Sequence, residues 1–373
     1  MKKTLLSLLA LFVSVQIWAR EFEYNGLLYT VIDENLKTCG TKQGIPYSTK
    51  PGNNVAGVLE IPAKVYDGDE CFTVTEVLNY SFYGCELTEL KFPSTLTSIG
   101  QYAFGYCDML TSLSFPEGLT TIKLHAFCGC TGLDKLTFPT TLSYVGGFCG
   151  CTGLTSVFFS DSVTLIGSHA FQNCTGLTSV DIPPFVETIG VNAFSGCTGL
   201  TSIKIPDAVT NIDNYAFSNC VGLNSFSVPD AVTHLGRSVF QGCSGLQTVR
   251  LGKSLRRIGS DAFSGCINLH EIYSYNPEVP SIYASTFTAA TENSANLYVP
   301  KGSLQTYSEA DYWKKFVNII EFETSSIEQS LVKCADSNLA VEFYDLNGRR
   351  VAEPSTGVYL RRQGTSVSKV LVK

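Results

Sequence analysis

Apolar side chains recur along this chain at a fixed interval. A phenylalanine is followed three residues later by a cysteine nine times: Phe82/Cys85, Phe104/Cys107, Phe127/Cys130, Phe148/Cys151, Phe171/Cys174, Phe194/Cys197, Phe217/Cys220, Phe240/Cys243 and Phe263/Cys266. From Cys151 to Cys266 the step is a constant 23 residues, while it is 22 from Cys85 to Cys107 and 21 from Cys130 to Cys151. The shortest step reads as a deletion around Gly146-Gly147. Residues 194–213 show the layout of one unit. Phe194-Ser-Gly-Cys197-Thr-Gly-Leu200 is a compact turn. Leu200, Ile203 and Ile205 then point one way, with Ser202 and Lys204 pointing the other, the alternation of a short strand. Pro206 ends the strand because it has no N–H for a ladder. Val209 and Ile212 open a second extended segment that leads to the next phenylalanine.

No single unit can bury this apolar face alone, so neighbours must stack. A fully buried Phe or Leu contributes roughly 1.5–3 kcal/mol, and a file of nine Phe outweighs any single surface interaction. The period therefore predicts a β-rich solenoid of the leucine-rich-repeat type, with a 23-residue period and atypical N- and C-terminal caps.

The unit Ala-Phe-x-x-Cys-x-x-Leu-x-x-Ile-x-Ile-Pro-x-x-Val-x-x-Ile-Gly resembles the BspA-type (Treponema-type) leucine-rich repeat of bacterial surface proteins, over residues 21–323. Tyr24-Asn-Gly-Leu-Leu-Tyr29, Leu59-Glu-Ile-Pro62 and Phe72-Thr-Val-Thr-Glu-Val77 resemble that family's N-terminal cap. Leu297-Tyr-Val-Pro-Lys-Gly302, Tyr307 and Trp313 resemble its C-terminal cap. Ala208 stands where the better-known repeat carries an Asn or Cys ladder, and here the Cys precedes the first Leu. The resemblance implies adhesion, with an extracellular host or bacterial protein as partner.

From Ser326 the period is lost. Val341-Glu-Phe-Tyr-Asp-Leu-Asn-Gly348 alternates into an Asn-Gly turn, and Arg349-Arg-Val351, Gly357-Val-Tyr-Leu360 and Val370-Leu-Val-Lys373 continue as short strands. This order is similar to the type-nine secretion C-terminal sorting domain, a small β-sandwich-like domain read by outer-membrane export machinery; a purely structural β domain is the alternative. At the other end, Lys2 and Lys3 precede a largely apolar stretch over residues 5–17 and the small residue Ala19, the features of an export signal. The expected organisation is signal peptide 1–19, N-terminal cap and first long coil 20–80, repeats 81–290, C-terminal cap 291–323 and β sorting domain 324–373. The product is expected to be secreted or outer-membrane associated at the cell surface, with no membrane span.

Composition narrows the partners. A net charge of -7 argues against nucleic acid, because phosphate binding needs a basic field. The 14 cysteines invite a disulfide framework, but the nine in register suit a buried thiol ladder. Cys128 and Cys149 differ: each sits one residue after its Phe, where other units carry residues such as Ser195 and Gln241, a position expected to be exposed. They leave open a disulfide, two free thiols or, with Cys130 and Cys151, a four-thiolate zinc site. The expectation is no metal and no cofactor. Cys39 and Cys71 could bridge within the cap. His125 and His169 share a register but stand two coils apart, roughly 10 Å at strand spacing, and the four histidines are read as solvent-facing. No G-x-S-x-G, phosphate-cradling G-x-G-x-x-G or H-E-x-x-H occurs, and no nucleophile, base and acid converge in the pattern. The reading is not an enzyme.

Packing fixes the inward positions of a solenoid, so recognition is written in the outward ones. One outward column runs Lys91, Ser114, Thr137, Phe158, Asp181, Lys204, Ser227, Arg250, Tyr273. Phe158 beside Asp181 and Lys204, with Arg250 and Tyr273 further on, is the candidate binding surface, although Asp181 and Lys204 also suit a cross-coil ion pair. Arg237, Arg250, Lys253, Arg256 and Arg257 gather positive charge near the last coils. Binding of a protein is the leading function. A surface glycan-capture module and a structural coat component are the alternatives.

Overall fold

The structure, a computed structural model, describes residues 19–42 and 55–323, and the backbone of strands between residues 341 and 372. The expected signal segment, apart from Ala19, lies outside the described residues, as does the Asn-Gly turn at 347–348.

The chain forms a β-solenoid of about 11 turns with a period near 23 residues. Most coils contribute two short strands, which pair in parallel with counterparts one coil away; at Ser112 and Ser281 the pairing is reduced to an isolated parallel bridge. On one face Lys135–Thr137 pairs with Ser156–Phe158 and Ser179–Asp181 with Ser202–Lys204. Ser225–Ser227, Thr248–Leu251, Glu271–Ser274 and Asn296–Pro300 follow as a continuous parallel run. On another face Tyr144–Val145, Leu165–Ile166, Thr188–Ile189, Asn211–Ile212, His234–Leu235 and Arg257–Ile258 form a six-stranded parallel sheet.

The in-register phenylalanines make the interior. All nine have no exposed surface, and successive rings from Phe82 to Phe263 stack with centroids 5.2–6.0 Å apart. A second file, Phe92, Phe115, Phe138 and Phe159, stacks alongside and meets the first edge-on at Phe104, Phe127, Phe148 and Phe171.

The cysteines do more than fill space. Cys107 Sγ donates to the carbonyl oxygen of Phe82, and the same bond recurs coil by coil through Cys266 and Phe240, at 3.0–3.3 Å. Burial pushes the Cys107 and Cys197 thiols up to about 12.

Glycines set the turns for two separate reasons. Gly196 lies at φ 74, in the left-handed region; the same register in other coils holds Asn173 and Asn219 at φ 59, the L-residue that tolerates it best. Gly199 is needed for closeness instead: a Cβ there would lie 2.5 Å from the carbonyl oxygen of Thr175 in the preceding coil.

The ends are closed differently. At the N-terminal end Glu21–Tyr24 and Leu27–Asp33 form a hairpin across Asn25-Gly26, both at positive φ, and the cap buries Phe22, Tyr29 and Phe72. At the C-terminal end Phe287 stacks on Phe263 at 4.9 Å and extends the file by one ring, although no Cys follows it. Trp313 and Phe316 then pack on Phe287. Trp313 Nε1 donates to the Pro280 carbonyl at 2.7 Å, and the Tyr307 hydroxyl donates to that of Asn276 at 2.8 Å.

By contact density the chain divides into two compact units: one holds the coils up to Val299 and Ser303–Ile320, the other Pro300–Gly302 with Glu321–Lys373. Within the second, Arg350–Val351, Val341–Tyr344, Gly357–Gln363 and Ser366–Val372 lie in that order in an antiparallel sheet. No helix among the described residues is long and apolar enough to cross a membrane.

Candidate functional site

The strand face presents its outward column as the alternation requires. Phe158 is 55% exposed, and Thr137, Asp181, Lys204 and Ser227 are exposed. The five candidate binding residues fall into two groups. Asp181 and Lys204 are register partners on adjacent coils, yet among the described residues no ion pair joins them, so the expected cross-coil bridge does not form. Phe158 belongs to the neighbouring strand pair, opposite Thr137.

Arg250 and Tyr273 form the second group, in register on adjacent strands, with the guanidinium 5.5 Å from the ring centroid. The next register position is Tyr298, whose ring stacks on Tyr273 at 4.4 Å and 7°. Tyr298 lies in the cap, outside the repeat pattern, and its only sequence signal was the extended stretch Leu297-Tyr-Val. The Tyr273 hydroxyl donates to Glu271 at 3.1 Å, and burial together with that carboxylate pushes its pKa up. Among the described residues Arg250 Nε has no hydrogen-bond acceptor, and it is buried. Arg and Tyr are the residue types enriched at energetically dominant interface positions, and here one Arg and two Tyr stand half-exposed in a single ladder.

The basic cluster near the last coils is not one surface. Lys253 pairs with Asp230 at 2.7 Å and Arg237 with Asp261 at 3.7 Å. Arg257 stands on the six-stranded sheet, whereas Arg250 is on the strand face.

A third group lies at the turns. Cys128 and Cys149 are joined as a disulfide between adjacent coils, with Cα atoms 4.6 Å apart. Cys149 is buried and Cys128 half-buried, so the expectation of exposure is corrected. Cys130 and Cys151 point into the core, donating to the carbonyl oxygens of Phe104 and Phe127 one coil back, which rules out a four-thiolate arrangement with them. Cys39 and Cys71 are both free thiols. His125 Nδ1 lies 3.0 Å from Cys149 Sγ, and the His125 and His169 rings are 5.7 Å apart. The estimate of roughly 10 Å from strand spacing counted backbone separation alone. The intervening coil carries Gly146-Gly147 in this register and contributes no side chain of its own there; the Tyr144 ring lies over Gly146, and the two half-buried imidazoles approach each other across that coil. Tyr102 stacks on the far side of His125 at 4.9 Å. Burial first, and His169 second, lowers the His125 pKa. His234 and His270 are exposed, as read from the sequence.

Residues 75–200 and 187–315 match the family described as the BspA type leucine rich repeat region. The chain is similar to the solved structure of a leucine rich cell surface protein from Faecalibacterium prausnitzii, at 23% identity and TM-score 0.48, covering 83% of this chain and 97% of that one. It is also similar to the pneumococcal vaccine antigen PcpA, at 18% identity and TM-score 0.45 over 82% and 99% of the two chains. A leucine rich repeat protein of T. pallidum is 23% identical with TM-score 0.33, over 67% and 91%. No curated protein matches the chain.

Proposed function

The chain belongs to the BspA-type leucine-rich-repeat family, and from that premise we propose that it is an exported adhesin that binds an extracellular host or bacterial protein through its strand face. The role is binding without a catalytic step. The observation that carries it is the ladder Arg250, Tyr273, Tyr298, which stands out from the Ser and Thr that fill much of the outward columns. Phe158, Asp181 and Lys204 form its second contact region. Glycan capture fits less well: the Tyr273 and Tyr298 rings cover each other's faces at 4.4 Å, leaving less ring face for a sugar.

In the same reading residues 1–19 direct export, 20–80 cap the first coil, 81–290 carry the repeats, 291–323 close them, and 324–373 act as the sorting domain that engages export machinery at the outer membrane. Deleting 324–373 should trap the protein in the periplasm, and unaltered surface display would refute the sorting role. For binding, an array of immobilised extracellular matrix and serum proteins is probed beside a glycan array with the wild type, Phe158→Ala, Asp181→Ala and Tyr273→Ala. Protein hits that weaken about tenfold or more in the variants, as loss of a dominant contact implies, support the reading. Glycan hits, or protein hits indifferent to all three substitutions, overturn it.

A further inference from the structure

The turn-side group at coils 127–151 is built for a second purpose. An imidazole nitrogen of His125 and the Sγ atoms of Cys128 and Cys149 all lie within 4.8 Å of one another. Two sulfurs and an imidazole nitrogen are the ligand set of zinc and similar borderline-soft cations. A tetrahedral zinc sets such ligand atoms about 3.3–3.8 Å apart. Nδ1 and Cys149 Sγ are already 3.0 Å apart. The sulfurs need only separate by roughly an ångström or two once unbonded.

The surroundings favour a site. In these two consecutive coils the residue after the Phe is Cys, where the others have Tyr83, Gly105, Gln172, Ser195, Ser218, Gln241 and Ser264. Tyr102 stacks on the His125 ring at 4.9 Å, and the His169 ring approaches it at 5.7 Å. His169 has its Nδ1 on Gln172 Oε1 at 2.7 Å, a bond that holds Nδ1 as the donor and leaves the lone pair on Nε2.

The geometry points to a redox-gated metal site: with the Cys128–Cys149 bridge closed no ion binds, and with it reduced, His125, Cys128 and Cys149 hold one divalent zinc-like cation. Opening is a two-electron step. A dithiol reductant delivers two electrons and two protons to the S–S bond and leaves as its own cyclic disulfide. The two thiols formed release their protons to solvent as the cation takes both sulfurs.

Cobalt(II) added to the purified full chain, before and after reduction with a phosphine, tests this. The reduced protein should take up one cobalt with a sulfur-to-metal charge-transfer band and the intense visible bands of tetrahedral coordination, and the oxidised protein none. Cys128→Ser and His125→Asn place residues that the repeat itself uses at those registers, Ser195 and Asn192. Cys128→Ser should abolish the charge-transfer signature of paired thiolates. His125→Asn should weaken binding roughly tenfold or more, since even outer partners of metal ligands are worth that much. The redox comparison on the wild type stands whether or not a variant folds. No cobalt uptake on reduction, equal uptake in both redox states, or a Cys128→Ser spectrum identical to wild type would overturn the site.

Discussion

The thiol of Cys197 donates to the carbonyl oxygen of Phe171, one coil back, at 3.1 Å. That oxygen also accepts the backbone N–H of Cys174, at 3.1 Å. One acceptor thus ties its own turn and the next coil together, and the arrangement repeats along the stack. Cysteine suits the position because it is small enough for the interior and still carries a weak donor.

A pH dependence follows from these thiols. The folded pKa values of Cys107 and Cys197 are raised by burial, from 9.0 to about 12. In the unfolded chain they ionise near the ordinary value, so above it the unfolded state binds fewer protons. The stabilisation is complete below pH 9.0 and is lost as pH climbs toward about 12. Each such thiol costs about 1.4 kcal/mol per pH unit in that window. Urea melts should show a midpoint flat from pH 7 to roughly 8.5 and falling steeply above it, with a shallower fall in Cys197→Ala.

Gly199→Ala should destabilise the fold by about 1–3 kcal/mol, as forced overpacking does. The added Cβ would stand 2.5 Å from the Thr175 carbonyl oxygen and 2.9 Å from that of Leu177, both backbone atoms that cannot swing away. Thermal denaturation measures it, and an unchanged melting temperature would mean the coils are not so closely stacked.

Phe217→Ala should cost about 3–5 kcal/mol, because the ring lies between Phe194 and Phe240 at 5.6 and 5.9 Å and against Phe226 at 5.0 Å. In a stack coupled only through neighbours, a weakened middle coil separates the two ends. Chemical denaturation of this variant should therefore show two transitions in place of one.

Phe158→Ala should leave stability within about 0.5 kcal/mol of wild type, the usual range for surface changes, because its side chain is 55% exposed. A large loss of melting temperature would assign Phe158 to the core and remove it from the binding surface.

The interior was readable because the constraint repeats: Phe194, Cys197 and Leu200 recur at one spacing, and packing admits no other placement. What escaped were single events. Phe287 continues the file but has no Cys after it. Tyr298 joins the strand face from the cap, where the period has ended. The approach of His125 and His169 is made by two side chains reaching across an intervening coil, which counting coils does not reveal. The unsatisfied Arg250 Nε is likewise a property of packing around one atom.

The central claim is that one buried aromatic and thiol file runs through the repeats and leaves recognition to the outward face. Cysteine footprinting of the reduced full chain tests it most directly, with a small alkylating reagent near neutral pH and mass spectrometry to assign each site. Cys107, Cys130, Cys151, Cys174, Cys197, Cys220, Cys243 and Cys266 should stay unmodified in the native protein, while Cys128 reacts, and all should react in guanidinium. Labelling of those eight in the native protein at the denatured rate would contradict the account.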